Sequence, residues 1–164
     1  MAYQMDISTA ILDPDLQCSA AQIAKRFVHG SFKDFDTVLE FGRTVDVITI
    51  EIEHVNLDAL EQLEKEGKTI HPNPKALRLI QNKQSQKDWY AQLNLPTSPF
   101  SNHSSKLGFS PKFPFVWKSA TGGYDGKGVS VVQNENDWNQ LPDVPFVAEE
   151  MVDIQTEIAV IAVR

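Results

Sequence analysis

The sequence has a single cysteine, no long apolar run and no excess of positive charge, and each shortage excludes a class of protein. Cys18 cannot form a disulfide within the 164-residue chain, which favours a reducing compartment. No run approaches the roughly 18 apolar residues of a transmembrane helix, and residues 1–5 are not a signal peptide. The net charge of −7 argues against broad nucleic-acid binding, which requires clustered Lys and Arg. We therefore expect a soluble, cytoplasmic protein that binds neither membranes nor nucleic acids.

The common glycine motifs for nucleotides are absent from the most glycine-rich segment. A P-loop has a Gly, then four residues, then Gly-Lys and a hydroxyl residue. Here Thr121 occupies the first Gly position, and Gly128 replaces the hydroxyl residue. The spacing G-x-G-x-x-G is missing as well. The chain also lacks a Ser-His or Cys-His constellation that would indicate a covalent nucleophile.

The glycine-rich segment itself runs from Lys118 to Gly128 and holds four glycines and two lysines around a Tyr-Asp pair. Apolar runs at 113–117 and 129–132 flank it, which predicts two strands joined by a long loop. Glycine lets backbone N–H groups turn toward an anion without a clashing side chain, and Lys118 and Lys127 would add positive charge. The pattern favours equally a mobile flap over phosphates and an exposed flexible hairpin.

The first half of the chain alternates predicted strands and helices. The strands are expected at 7–12, 45–52 and 69–70, and the helices at 20–28, from Asp34 or Asp36, and at 57–66 after Asn56. This alternation predicts a parallel α/β sheet. Because Met1–Met5 looks like the tail of a helix, we expect that the first strand of this sheet is missing and that the chain is a segment of a longer protein. Pro72 and Pro74 stiffen the backbone, which places the domain boundary at residue 72.

The second half changes to predicted strands joined by short links. Helices are expected at 75–80 and 82–93, the second with Trp89, Tyr90 and Leu93 as its apolar face. A surface loop is expected at 101–112, a short helix at 136–139, and strands at 113–118, 128–133, 145–150 and 156–163. Consecutive strands with short connections are typically antiparallel, so this half is predicted to be α+β.

Several charged residues lie where a packed element would not place them. Glu51 and Glu53 would project from one face of a strand at its C-terminal end, where α/β sheets bind ligands. They favour equally a site for an amine or a metal and an ordinary polar strand end, and His54 beside them is more often structural. Lys83 and Lys87 lie four apart on one helix face, which fits either one shared anion or a solvated basic surface.

A second group of carboxylates lies between residues 149 and 157. Glu149 and Glu150 close a predicted strand, so one of the two must face inward if that strand is packed, and Glu157 begins the next predicted strand. A strand-end backbone and a following carboxylate suit the base and ribose of a purine nucleotide. Together with cations at 83, 118 and 127, these carboxylates make a nucleotide cleft plausible.

Taken in order, these motifs resemble one enzyme family. The segments that carry the resemblance are Thr49–Val55, His71-Pro72, Lys83 to Lys87, Lys118, Gly122–Gly128 and Glu149–Glu157. They are similar to those of 5-(carboxyamino)imidazole ribonucleotide synthetase, an ATP-grasp ligase of purine biosynthesis that is also called the ATPase subunit of phosphoribosylaminoimidazole carboxylase. The resemblance covers nearly the whole chain. It implies a Rossmann-like pre-ATP-grasp domain over residues 1–72 and, over residues 73–164, the first part of an ATP-grasp domain with its small lid subdomain.

The resemblance also implies an activity. The family uses Mg-ATP to phosphorylate bicarbonate to carboxyphosphate and then carboxylates the amine of 5-aminoimidazole ribonucleotide. The resemblance implies a homodimer as well. The family's magnesium ligands and its residues for the substrate phosphate correspond to positions beyond Arg164, so no metal ligand is assigned and the segment alone is expected to be inactive. Two alternatives stay open: a non-catalytic nucleotide-binding or dimerisation module, and another ATP-grasp ligase with a different acceptor.

Site residues follow from the same resemblance. Lys83 and Lys118 match positions that contact the ATP phosphates. The closing flap matches Gly123, Tyr124, Asp125, Gly126, Lys127, Gly128 and Val129. The hinge that contacts adenine matches Glu149, Glu150, Met151 and Val152, and the ribose carboxylate matches Glu157. Tyr124, Asp125 and Lys127, with Glu51 or Glu53, are expected on the side that receives 5-aminoimidazole ribonucleotide.

Overall fold

The computed structural model describes residues 2–123 and 128–161 of the chain. The backbone packs as two compact units, residues 1–81 and residues 82–164. Within the described ranges, no helix has both the length and the apolar character needed to cross a membrane.

The first unit alternates strands and helices, as predicted. After a 3-10 helix at Ala2–Met5 come β1 (Ala10–Asp13), β2 (Arg26–His29), α1 (Phe35–Arg43), β3 (Val47–Thr49), α2 (Leu57–Lys65), β4 (Thr69–His71) and α3 (Pro74–Ile80). β1 pairs with β2 and β3 pairs with β4, and both pairs are parallel. The prediction of a parallel α/β unit is therefore confirmed.

The two longer helices of this unit begin at the capping residues that the sequence predicts. Asp34 Oδ1 accepts a hydrogen bond from the Thr37 amide at 2.8 Å, and Asn56 Oδ1 accepts one from the Ala59 amide at 2.9 Å. Each cap satisfies an amide that the first helical turn leaves without a backbone partner. The apolar faces of both helices then pack on the strands, in a core that includes Val38, Leu39, Ile48, Leu60, Leu63 and Ile70.

Residues 20–28 do not form the predicted α-helix. Ser19–Gln22 is one short stretch of 3-10 helix, and Arg26–His29 is β2. In the parallel register Phe27 lies opposite Ile11 and Val28 opposite Leu12. The apolar residues that suggested a helical spacing are used for strand pairing, because a short apolar run does not distinguish the two periods.

The strands of the first unit form two separate pairs rather than one sheet. A cavity of about 1140 Å³ lies between them, lined by the β1 segment 7–13 and the β3 segment 45–52. Apolar side chains of α1 and α2, including Val38, Leu60 and Leu63, complete its lining. The expectation that a first strand of the sheet is missing stays a prediction.

The unit boundary falls after Gln81 rather than at residue 72. Pro72 and Pro74 do break the local structure, but α3, which begins at Pro74, still packs with the first unit. Arg78 Nε donates to Glu61 and its Nη2 donates to Asp58 of α2, both at 2.8 Å. These contacts tie α3 to the first unit and move the boundary downstream.

The second unit is an antiparallel sheet with two helices. Its elements are α4 (Lys83–Gln92), β5 (Phe100–His103), β6 (Phe115–Ser119), β7 (Val129–Val132), α5 (Glu135–Gln140) and β8 (Phe146–Glu150). The strand order is β5-β8-β6-β7 and each neighbouring pair is antiparallel, so the α+β prediction is confirmed. The core on one face of the sheet contains Phe115, Trp117, Val132, Trp138, Phe146 and Ala148.

Three predictions for this unit are wrong. Residues 100–103 are the edge strand β5, which pairs with β8, instead of part of a surface loop. An edge strand tolerates the polar Ser101 and Asn102 because their side chains are exposed. Residues 156–161, the described part of the predicted last strand, have no regular structure. The expected apolar face of α4 is not buried either: Trp89 is 42% exposed and Leu93, just after the helix, is 50% exposed, whereas Lys87 is 6% exposed.

Candidate functional site

A buried cluster of one carboxylate and two ammonium groups lies where β8, β6 and α4 meet. Phe146 and Ala148 of β8 belong to the aromatic core, so the alternating Val147 and Glu149 face the other side of the sheet. Gln84 of α4 donates hydrogen bonds to the Phe146 carbonyl at 2.8 Å and to the His103 carbonyl at 2.9 Å, which holds the helix against that side. The carboxylate of Glu149 therefore lies beneath α4.

Both oxygens of Glu149 have cationic partners. Oε2 accepts hydrogen bonds from Lys118 Nζ and from Ser98 Oγ, each at 2.8 Å, and Oε1 lies 3.2 Å from Lys87 Nζ. The side chains of Glu149 and Lys87 are 9% and 8% exposed, whereas that of Lys118 is 29% exposed. We call Lys87, Lys118 and Glu149 the Lys–Glu–Lys cluster; Lys118 is its solvent-facing member.

Burial and charge act on Glu149 in opposite directions. Burial alone would raise the pKa of its carboxyl, but the hydrogen bonds from Lys118, Ser98 and Lys87 and the positive charge of Lys118 outweigh that effect and lower the pKa below its ordinary value. Glu149 is thus an anion at neutral pH. As packing required, it is the inward-facing member of the Glu149-Glu150 pair, and Glu150 is exposed.

The two lysines that the sequence placed on one helix face have different environments. Lys87 also donates to Thr97 Oγ1 and to Ser98 Oγ at 3.0 Å, and its Nζ lies 5.0 Å from the centre of the Phe100 ring. Lys83 is the half-buried first residue of α4, and its amide donates to the Ala120 carbonyl at 2.8 Å. Lys87 is therefore a member of a buried ion-pair network, which the prediction of a shared anion or a solvated face missed. Its spacing from Lys83 made Lys87 a candidate site residue, but only the fold shows that its partner is Glu149.

Lys118 stands at the base of the glycine-rich segment. It is the last residue of β6 that pairs with β7, opposite Val129, and the next amide, Ser119, donates to the Gly128 carbonyl at 2.8 Å. Gly122 and Gly128 have positive φ angles of 78° and 82°, which glycine adopts readily. Tyr124, Asp125, Gly126 and Lys127 lie outside the described residues, so their expected roles stay predictions.

The predicted hinge residues follow the buried Glu149 along the chain. The Glu150 amide donates to the Pro99 carbonyl at 2.9 Å, and Met151 and Val152 are 44% and 53% exposed. Glu157 is exposed and has no regular structure, so the expectation that it begins a strand is wrong. Its predicted contact with ribose is untested.

The carboxylates of the first unit do not lie on a strand face. β3 ends at Thr49, two residues before Glu51, and both Glu51 and Glu53 are exposed in the bends and turns that follow. The chain leaves β4 after Ile50, whose amide still donates to the His71 carbonyl at 3.1 Å, so the expected shared strand face is absent. His54 is half-buried. Within residues 2–123 and 128–161, no group of three or more His, Cys, Asp and Glu side chains is placed to hold a metal ion.

The fold and the lysine-bearing sheet correspond to two matched domain families. Residues 1–81 match the ribonucleotide synthetase preATP-grasp domain, and residues 88–164 match the ATP-grasp domain. The preATP-grasp match covers the first unit of the structure, and the ATP-grasp match covers most of the second unit.

Individual relatives indicate which enzymes the chain is similar to. The chain is 33% identical to a chloroplastic phosphoribosylaminoimidazole carboxylase from Vigna aconitifolia, over 99% of this chain and 31% of the relative. It is 30% identical to an N5-carboxyaminoimidazole ribonucleotide synthase from Staphylococcus epidermidis, over 96% of this chain and 44% of the relative. The chain thus spans between about a third and under half of the length of these relatives.

Solved structures agree with these relatives. The carboxyaminoimidazole ribonucleotide synthase from Aspergillus clavatus, complexed with ATP, matches with a TM-score of 0.82 and 32% identity, over 94% of this chain and 43% of that chain. The N5-carboxyaminoimidazole ribonucleotide synthetase from Thermotoga maritima matches with a TM-score of 0.81 and 28% identity, over 94% of this chain and 42% of that chain. The chain is thus similar over nearly its whole length to N5-carboxyaminoimidazole ribonucleotide synthetases, and its two units match the preATP-grasp and ATP-grasp domain families.

Proposed function

We propose that this chain forms the nucleotide-binding part of an enzyme that uses ATP and bicarbonate to carboxylate 5-aminoimidazole ribonucleotide by way of carboxyphosphate. The observation that carries the proposal is the Lys–Glu–Lys cluster, whose Lys118 stands at the base of the glycine-rich segment. It holds two positive charges against one negative charge and presents the more exposed lysine, Lys118, toward solvent. A fixed cation beside a glycine-rich segment suits the phosphates of a nucleotide, because phosphoryl transfer depends mainly on positioning and on neutralising charge.

The remaining roles extend this site along the chain. Lys83 supplies a second cation for the phosphates. Residues 123–129 close over them and exclude the water that would destroy carboxyphosphate. The backbone of residues 149–152 contacts adenine, and Glu157 binds the ribose. A relative from Aspergillus clavatus was solved in complex with ADP and 5-aminoimidazole ribonucleotide, and this supports the same acceptor for Glu51 or Glu53 together with Tyr124, Asp125 and Lys127.

Magnesium accompanies ATP in the proposed reaction. Its role would be to neutralise charge on the phosphates. The cytoplasmic location and the homodimer inferred from the sequence likewise stay predictions. Sedimentation velocity of the purified protein tests the homodimer directly.

The proposal is tested by turnover. A longer polypeptide that contains this sequence is expected to release phosphate from ATP only when both 5-aminoimidazole ribonucleotide and bicarbonate are present. Lys118→Met in that polypeptide is expected to lower kcat/KM by about 10²-fold or more, the usual effect of removing a charge that stabilises a transition state.

The controls separate this function from its alternatives. Phosphate release with a different amine acceptor, and none with 5-aminoimidazole ribonucleotide, would indicate another ATP-grasp ligase. ATP binding without turnover in the longer polypeptide would indicate a non-catalytic nucleotide-binding module. Either result would contradict the proposed reaction.

A further inference from the structure

Lys87 is the residue that α4 buries, although the same helix also carries aromatic side chains. Its side chain is 8% exposed, whereas Trp89 on the same helix is 42% exposed. Burial of an ammonium group costs free energy unless the group is paired and fully hydrogen-bonded. A helix that buries a lysine and exposes a tryptophan indicates that the buried charge has a role.

The ammonium group of Lys87 is surrounded by protein acceptors. It meets Thr97 Oγ1, Ser98 Oγ at 3.0 Å, the Ser98 carbonyl at 3.3 Å and Glu149 Oε1 at 3.2 Å. An ammonium group has three N–H donors, and these acceptors are enough to satisfy all of them. Lys87 therefore has no N–H group left to direct at a ligand.

Glu149 divides its two oxygens between the two lysines. Oε1 faces the buried Lys87, and Oε2 accepts from the more exposed Lys118 at 2.8 Å. Counting charges, the cluster has two positive and one negative, so one positive charge remains in excess. That excess lies nearest to solvent at Lys118, whose side chain is 29% exposed.

We infer that Lys87 is a positioning residue: it binds and neutralises Glu149, so that the charge of Lys118 remains available to the polyphosphate of a bound nucleotide. Without Lys87, Glu149 would take Lys118 as its only cationic partner, and the charge of the cluster would fall to zero. The inference rests on the proposed function, and it adds a residue that contacts neither the nucleotide nor the acceptor.

The first test compares ATP with adenosine by titration calorimetry on the 164-residue chain. Lys87→Met keeps the length of the side chain and removes its charge. We expect its affinity for ATP to fall about tenfold or more, because a unit charge close to a partly buried site is lost, while its affinity for adenosine changes less than about threefold. Adenosine has no phosphate, so it reports any general loss of structure at the site. An unchanged ATP affinity would overturn the inference.

A double variant tests the charge argument itself. In Lys87→Met with Glu149→Gln, the other two members of the cluster carry no charge, and the cluster again holds one positive charge, that of Lys118. We expect the ratio of adenosine to ATP dissociation constants to return to within about threefold of the wild-type ratio. If Lys87 served only packing, the two substitutions would instead lower ATP affinity additively. That result would overturn the inference.

Lys106→Met is the matched control. Lys106 is a half-buried lysine of the second unit, and its Nζ donates to the Trp138 and Leu141 carbonyls at 2.7 and 2.8 Å. Its loss is expected to lower the melting temperature without changing the preference for ATP over adenosine. An equal loss of that preference in Lys106→Met would assign the effect of Lys87 to stability and overturn the inference.

Three outcomes have distinct meanings. If Lys87→Met does not fold, Glu149→Gln alone decides, because it raises the cluster charge to two and is expected to preserve or increase the preference for ATP; a tenfold loss would overturn the inference. If the wild-type chain binds no ATP, the proposed function fails and the inference fails with it. If the wild type binds ATP and Lys87→Met binds it equally well, only the inference fails.

Discussion

Glu149 shows how one buried carboxylate links stability to the proposed site. Its negative charge is retained beneath α4 because Lys118, Ser98 and Lys87 all donate to it. Buried ion pairs contribute little net stability when compared with apolar residues, but breaking one leaves an uncompensated charge and is costly. Glu149 is therefore expected to influence both the stability of the second unit and the charge that faces a nucleotide.

The pH dependence of Glu149→Gln tests this link. The pKa of Glu149 is lowered in the folded state, so its stabilising contribution is complete above the unfolded pKa and is lost as the pH falls through the folded pKa. Wild type and Glu149→Gln should therefore differ most in melting temperature near pH 7, and the difference should shrink as the pH is lowered below the ordinary carboxyl pKa. The neighbouring Glu150→Gln, which alters an exposed carboxylate, is the control and should show a small difference. A constant difference for Glu149→Gln from pH 7 to pH 3 would contradict this explanation.

Single residues could be predicted from the sequence only where the pattern also fixed their surroundings. Asn56 was predictable as a cap because the periodic apolar residues of α2 follow it directly. Glu149 or Glu150 had to face inward because strands alternate, but the sequence did not indicate which one. Lys87 was beyond prediction because its partner lies in β8, far along the chain, and only the packing of α4 on the sheet brings the two together.

At the scale of elements, the turn into the glycine-rich segment is the most constrained feature near the site. Gly122 and Gly128 share the left-handed backbone conformation, but their surroundings differ. A Cβ at Gly122 would meet no atom within 4 Å. A Cβ at Gly128 would collide with Ser119 Oγ and would lie 3.0 Å from Gly123 Cα.

Alanine substitutions at these two positions are expected to differ. Gly122→Ala should cost roughly 1 kcal/mol of unfolding free energy, the penalty for a left-handed alanine. Gly128→Ala should cost about 1–2 kcal/mol more, because the added methyl group also overpacks the turn. Urea denaturation measures both, and Ser119→Ala in the Gly128→Ala background should recover part of the excess. Equal costs at Gly122 and Gly128 would show that the close contact at Gly128 is absent.

The β1–β2 pair and the four-stranded sheet are expected to open at different rates. β1 and β2 form an isolated two-stranded parallel pair, and such pairs are marginal, whereas β8 is an inner strand of the four-stranded sheet. Amide hydrogen exchange should therefore be faster at the amides that bond β1 to β2 than at the β6–β8 ladder. Slower or equal exchange in β1 and β2 would contradict the separation of the sheets.

Element types were predictable where helical spacing and caps agreed, as in α1 and α2, and where apolar runs flank a glycine-rich segment, as in β6 and β7. Residues 20–28 were assigned wrongly because Phe27 and Val28 fit either a helix or a strand, and only pairing with β1 decides. The segment 156–163 was assigned as a strand because it is apolar, yet its described part has no strand partner within residues 2–123 and 128–161.

The whole molecule is acidic, with a net charge of −7, while its candidate site is locally positive. In the proposed function, a nucleotide would be attracted by the Lys–Glu–Lys cluster and not by the overall charge, and salt would screen this local attraction only partly because two of the three groups are buried. The division into an α/β unit and an α+β unit was predictable from the change in connection lengths. The exact boundary was not, because it depends on Arg78 pairing with α2.

ATP binding by the 164-residue chain tests the central claim most directly. Titration calorimetry should show ATP binding in the micromolar to millimolar range, the usual range for enzyme substrates, and Lys118→Met should weaken it about tenfold or more while leaving adenosine binding nearly unchanged. Absence of ATP binding by the wild type, or equal ATP affinity in Lys118→Met, would contradict the assignment of this cluster as a nucleotide site.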